Sequence, residues 1–137
     1  MTSPLLALRA AIRAACLADA SLAALLGGPG QVLDEPPAGA VPVYPVFGDA
    51  QVRDASTSTE PGHEHEIAIL VWAAAGSAAG GFRVAERIAA ILDDAPLAID
   101  GHRLVRIGVE RIDTDRDRDS RLARATVRVR AVTEPQP

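Results

Sequence analysis

The sequence predicts an α+β fold: a mixed, mainly antiparallel sheet of about four to five strands, with an N-terminal helix and a second helix packed on one face. Three observations carry that prediction. From His102 to Val132 two runs alternate, Val105, Ile107 and Val109 against Arg106, Gly108 and Glu110, then Ala123, Ala125, Val127, Val129 and Ala131 against Arg124, Thr126, Arg128 and Arg130. Alternation over that length sets one row of side chains on each face of a sheet. Leu5, Leu8, Ile12, Ala15 and Cys16 instead recur at helical spacing, as do Val84, Ala85, Ile88, Ile91 and Leu92.

Each element has local signals of its own. Ser3-Pro4 is an N-cap followed by a first-turn proline, with Arg9 and Arg13 expected opposite the apolar stripe. Asp19 caps a short turn through Leu22, Leu25 and Leu26, which Gly27-Gly28-Pro29-Gly30 ends. A short strand follows at Gln31–Asp34, Pro36-Pro37 breaks it, and a longer strand runs from Val43 to Val52. Pro45 within that strand implies an edge position or a bulge. Asp54 to Gly62 is small, polar and too long for a tight hairpin turn, so it is expected to project as a loop.

After the loop, His65, Ile67, Ile69 and Val71 alternate with Glu66, Ala68, Leu70 and Trp72. The second half of this strand is apolar on both faces, as expected beside a helix or a subunit contact. Gly76-Ser77 opens the second helix; Asp93-Asp94 oppose its dipole, and Ala95-Pro96 stop it. Pro96 to Ile99 is extended, and Asp100-Gly101 turns the chain into the C-terminal hairpin. Asp113 to Asp119 holds no apolar residue and is expected to be a solvated turn.

Composition narrows the function. A chain of 137 residues is long enough for one domain, 1–137, with a real core. Hydrophobic residues make up 48% and aromatics only 3%, so Ala, Val, Leu and Ile build the interior, and an oligomer would add burial. All 14 basic residues are Arg, and the net charge is −4. Nine Arg and five acids between His102 and Val132 give +4; five Arg and thirteen acids elsewhere give −8. That division suits stacked or head-to-tail subunits better than a general nucleic-acid binder. The Met1 end lacks a secretory signal, and no run reaches the roughly 18 apolar residues of a membrane span. The single cysteine, Cys16, forms no internal disulfide and fits cytoplasmic synthesis.

Candidate chemistry is thin. His63 and His65 would point the same way on a strand, but no third metal ligand has zinc-site spacing. Asp113, Asp115 and Asp117 resemble a calcium loop superficially, yet Arg118 and Arg124 stand where Gly and Glu are required. Gly76, Gly80 and Gly81 match no phosphate-binding fingerprint, and without Lys there is no Walker motif. Cys16 lies on an apolar helix face, a core position. Ser56, Thr57, Ser58 and Thr59 sit in a polar loop that cannot preorganise a nucleophile with His63. No catalytic, metal or cofactor set emerges. Arg124, Arg128 and Arg130, extended by Arg106, form a row that either contacts nucleic acid or an acidic partner, or pairs across strands to Glu110.

Several strings in order resemble one family: Leu5-Ala-Leu-Arg-Ala-Ala-Ile-Arg, Val43-Tyr-Pro-Val-Phe-Gly, Glu66-Ile-Ala-Ile-Leu-Val-Trp, Asp94-Ala-Pro-Leu and Arg128-Val-Arg-Ala-Val-Thr-Glu-Pro. Together they resemble the tail terminator, or tail completion, proteins of long-tailed bacteriophages and gene transfer agents. The resemblance implies a small α/β subunit of a hexameric ring that caps the tail tube, ends its polymerisation and docks the tail to the head-side connector. It implies no enzyme and no cofactor, DNA only as passing cargo, and no membrane. It also places the protein in the bacterial cytoplasm during assembly and then at the head-proximal end of the tail. The expected contact residues are Leu70 and Trp72 at the subunit seam, with Thr57, Ser58, Thr59, Arg124, Arg128 and Arg130 facing tube or neighbours. The alternative is a small nucleic-acid-binding module using the Arg face.

Overall fold

The computed structural model describes residues 3–136. Met1, Thr2 and Pro137, which the sequence reading takes into the domain, lie outside the described residues. Helix α1 (Pro4–Leu17) begins where Ser3 is extended and its Oγ accepts the Leu6 N–H at 3.2 Å. Helix α2 (Ala20–Leu26) starts in the same way, with Asp19 accepting the Leu22 N–H at 2.8 Å. It ends at Gly27, whose φ of 68° is the left-handed cap that glycine adopts without strain. Asp19 also accepts two N–H groups from Arg87, at 2.6 and 2.8 Å. That bidentate pair ties α2 to α3 (Ala78–Leu92) and, with the Leu22 bond, holds the Asp19 carboxyl down at about 2.

Strands β1 (Val43–Asp54), β2 (His63–Ala73), β3 (His102–Arg116) and β4 (Ala123–Pro135) form one sheet in the order β1-β2-β4-β3. Every pairing is antiparallel. The β2–β4 register sends Ile67, Ile69 and Val71 with Ala125, Val127 and Val129 to the face covered by helices. There they meet Leu8 and Ile12 of α1 and Val84, Ile88 and Leu92 of α3. Each such aliphatic side chain contributes about 1.5–3 kcal/mol when withdrawn from water. With few rings available, close approach replaces bulk. A Cβ on Gly81 would lie 2.8 Å from the Ala73 Cβ, so α3 can settle on β2 only without a side chain there. Cys16 is buried in this core, and burial pushes its thiol up to about 12.

The structure departs from the sequence reading at several places. The short strand at Gln31–Asp34 reduces to one parallel bridge, Leu33 to Val46, because the Asp34 carboxylate is turned to α1. There Arg9 and Arg13 each reach Asp34 Oδ1 at 2.7 Å and lie over the Phe47 ring, 4.4 and 5.5 Å from its centre. These arginines therefore point along the β1 flank. The solvent face of α1 is instead Leu6, Ala10, Ala14 and Leu17.

β3 continues to Arg116, so Asp113 and Asp115 are strand residues. The turn, residues 117–122, is closed by the Asp117 N–H to the Leu122 carbonyl at 2.9 Å. Cross-strand arginines supply what the missing apolar residues could not. The loop after Asp54 continues its hairpin, with Ala55 N–H to Gly62 O at 2.9 Å and Thr57 N–H to Glu60 O at 2.8 Å. Val105 is 41% exposed, because a bulge between Leu104 and Arg106 rotates it outward. Asp93, unfavourable at a helix C-terminus, accepts the Val109 N–H at 2.9 Å beside a second bulge.

His65 is fully buried, with its Nε2 2.9 Å from Thr133 Oγ1 and its Nδ1 unpartnered among the described residues. No group of His, Cys, Asp and Glu among the described residues is arranged to hold a metal ion. Burial pushes the His65 imidazole down to about 4 from 6.5, and like charge on His63 and His102 acts in the same direction. The unfolded chain therefore takes up this proton first. Stability is complete above pH 6.5 and is expected to fall by about 1.4 kcal/mol per unit as pH drops towards 4. The lowered carboxyls titrate below this window. Urea unfolding at pH 7, 5.5 and 4.5 reads the slope, and the double variant His65→Leu/Thr133→Val is expected to flatten it. An equally steep slope in the variant would assign the acid sensitivity elsewhere.

Candidate functional site

The helices cover one face of the sheet, and the register dictates what stands on the other. Five rows cross it. Tyr44, Trp72, Arg124 and Asp115 form the first; Val46, Leu70, Thr126 and Asp113 the second. Ala68, Arg128 and Arg111 follow, then Gln51, Glu66, Arg130 and Gly108, and last Arg53, Glu64, Val132 and Arg106. The β1–β2 half is apolar at one end, where Leu70 closes over Gly48: a Cβ on that glycine would lie 3.0 Å from Leu70 Cγ. Val46, Ala68 and Thr126 are buried on this face although they lie outside the main core.

The β4–β3 half is an ionic ladder. Arg124 Nε donates to Asp115 at 2.8 Å, and its guanidinium carbon stands 5.2 Å from the centre of the Trp72 ring. Arg128 Nε donates to Asp113 at 2.8 Å, and Arg111 reaches the same carboxylate at 3.0 Å. Arg130 donates to Glu66 at 2.6 Å and comes within 3.4 Å of Glu110. The side-chain bond from Arg128, then that from Arg111, holds the Asp113 carboxyl below its ordinary range; Arg124 does the same for Asp115. Of the two readings of the arginine row, the geometry is that of cross-strand pairing, to Asp113, Asp115 and Glu66 as well as Glu110.

Five of the eight expected contact residues thus come together: Leu70, Trp72, Arg124, Arg128 and Arg130 share this face. Thr57, Ser58 and Thr59 do not join them. They cap the β1–β2 hairpin, beyond Arg53 and Glu64, at the end of the sheet opposite Trp72. Sequence reasoning passed over Tyr44 and Val46, whose alternation in Val43-Tyr-Pro-Val-Phe was available, and took Asp113 and Asp115 for turn residues. No helix among the described residues is long and apolar enough to cross a membrane.

This sheet face is left uncovered by the helices, and Arg124, Arg128 and Arg130 on it are each paired with a carboxylate. The profile of the family described as tail completion protein gp17 matches residues 10–134. The chain belongs to this family. A chain in the virion of a native gene transfer agent particle is 31% identical, superposes with a TM-score of 0.86, and is covered over 99% of its length by 98% of this chain. No curated protein matches. Tail completion proteins are structural components of phage-like virions, and both the α+β class and the resemblance drawn from the sequence stand.

In this tail completion protein the ladder is half-exposed, so each ion pair is worth little singly and is screened by salt. A double-mutant cycle on Arg128→Gln and Asp113→Asn is expected to give a coupling of about 0.5–1 kcal/mol in low salt. In molar salt the coupling is expected to shrink towards zero. A coupling unchanged by salt would mean the pair is not an electrostatic one.

Proposed function

We propose that this protein assembles into a ring, six-membered as its family resemblance implies, that caps a tail tube. In this reading the ring ends tube polymerisation and joins the tail to the head-side connector, in the bacterial cytoplasm and then within the particle. DNA passes through it as cargo; no reaction, cofactor or membrane takes part. The observation that carries the reading is the end-to-end likeness to a virion component. It is supported by the uncovered sheet face, where Trp72 and Leu70 offer apolar contact beside arginines neutralised in place.

The whole chain acts as one domain. Leu70, Trp72, Arg124, Arg128 and Arg130 bear on the tube or on a neighbouring subunit, and Thr57, Ser58 and Thr59 reach a second component from the hairpin tip. The nucleic-acid alternative rests on the arginine row, and the three central arginines of that row each face a carboxylate within 3 Å. A binder of phosphates keeps such cations free.

Trp72 is only half-buried in the single chain, so Trp72→Ala is expected to lower the thermal midpoint modestly. Capping competence of assembled tails is expected to fall far more, on the order of tenfold or beyond, as for an aromatic anchor. Electron microscopy of tail lengths alongside calorimetry separates the two effects; equal losses would demote Trp72 to a fold residue. Replacing Ser56–Pro61 by Asn-Gly keeps the hairpin closed. Overlong or headless tails are the expected result, and normal particles would remove the loop from the contact surface.

A further inference from the structure

The geometry points to a specific seam between two copies of this chain: the outer face of α1 in one copy seats in a groove beside Phe82 in the next. This seam deepens the ring reading and rests on it. Leu6, Ala10, Ala14 and Leu17 fall on one stripe of α1, all exposed, with Leu6 62% and Leu17 48% accessible. A helix on a protein surface ordinarily turns charges outward, and one that is apolar on its outer side too is built to be covered. Among the described residues nothing covers it.

A fitting recess lies on the opposite flank of the helical layer. Between the first turns of α3 and the distal β3–β4 hairpin is a groove of about 660 Å³, floored by Val71, Ala73 and Ala125 and walled by Ala78 and Phe82. Phe82 is 41% exposed, an unusual position for one of only two phenylalanines in the chain. α1 lies on the β1 side, over Phe47, whereas the groove opens towards β3. Stripe and groove therefore cannot meet within one molecule. Pairing them between copies is head-to-tail, the arrangement that closes into a ring when the rotation per subunit permits.

Charge commits the groove to a second copy. Arg116 lines it, and its guanidinium meets only the Arg121 carbonyl, at 2.8 Å, with no carboxylate among the described residues. Glu35 stands in the cleft beside Leu6 and, among the described residues, has no cation, Arg9 and Arg13 both being spent on Asp34. The cation beside the groove thus faces the acid beside the stripe. The same polarity runs through the chain, +4 between His102 and Val132 and −8 elsewhere.

The test uses thiol cross-linking of the full chain at high concentration and in assembled particles, followed by denaturing electrophoresis and native mass. Cys16 is buried and its thiol is pushed up to about 12, so it stays silent towards a short bis-maleimide. The double variant Leu6→Cys/Phe82→Cys is expected to give a ladder of multimers. Each single variant is expected to stay monomeric, and an equal mixture of the two is expected to stop at dimers. Glu35→Arg, or Arg116→Glu, is expected to cut the ladder at least about tenfold, and the two together to restore it. A ladder ending at a closed species supports seam and ring together. Six-subunit particles without a Leu6–Phe82 cross-link would overturn the seam and leave the ring reading standing. An open-ended ladder would keep the seam and overturn the closed ring, and dimers from Leu6→Cys alone, or monomers throughout, would overturn the seam.

Discussion

The central pairing of β2 with β4 constrains nearly everything else. Once Ile69 lies opposite Val127 and Val71 opposite Ala125 beneath the helices, the two-residue period of a strand leaves no choice for the residues between them. Leu70 meets Thr126, Trp72 meets Arg124 and Glu66 meets Arg130 on the other side. A slip of one residue would exchange an aliphatic floor for a row of arginines. The core and the uncovered face are thus two readings of one register, and neither can drift without the other.

Scarcity of aromatic side chains shapes how the layers meet. Gly81 lets α3 settle onto Ala73, and the arginines take over part of the role that rings play elsewhere. Arg9 and Arg13 stack over Phe47 while holding Asp34, and Arg87 fixes the cap of α2 through Asp19. A guanidinium can cover an apolar ring and satisfy a carboxylate together, which a lysine does less well. A chain with 14 arginines and no lysine exploits that repeatedly.

Much of this was legible in advance, wherever local chemistry and tertiary context agree. The Ser3 and Asp19 caps, the Gly27 stop, the edge position of Pro45 and the alternation of β2 and β4 are short-range signals, and the folded chain obeys them. The missed features depend on partners far along the chain. Asp113 and Asp115 look like a solvated turn until Arg128 and Arg124 are placed opposite, and the period-two spacing of the aspartates was the available hint. Arg9 and Arg13 look outward-facing until Asp34 folds back against them. Val105 looks buried until the bulge before Arg106 is known, and sequence alternation does not announce a bulge.

One feature of the fold bears on how such a sheet meets its neighbours. Both outer strands are closed to lateral growth: β1 carries Pro45 and a register break, with Leu33 bridged to Val46, and β3 is interrupted twice, with Asp93 consuming the Val109 N–H at the second break. An edge so interrupted is a poor template for hydrogen-bonded extension by another chain. Strands of 11 to 15 residues with open edges would otherwise risk pairing into fibrils through their backbones. Any contact with another chain is thus left to side chains, whose shapes and charges discriminate between partners as backbone hydrogen bonds do not.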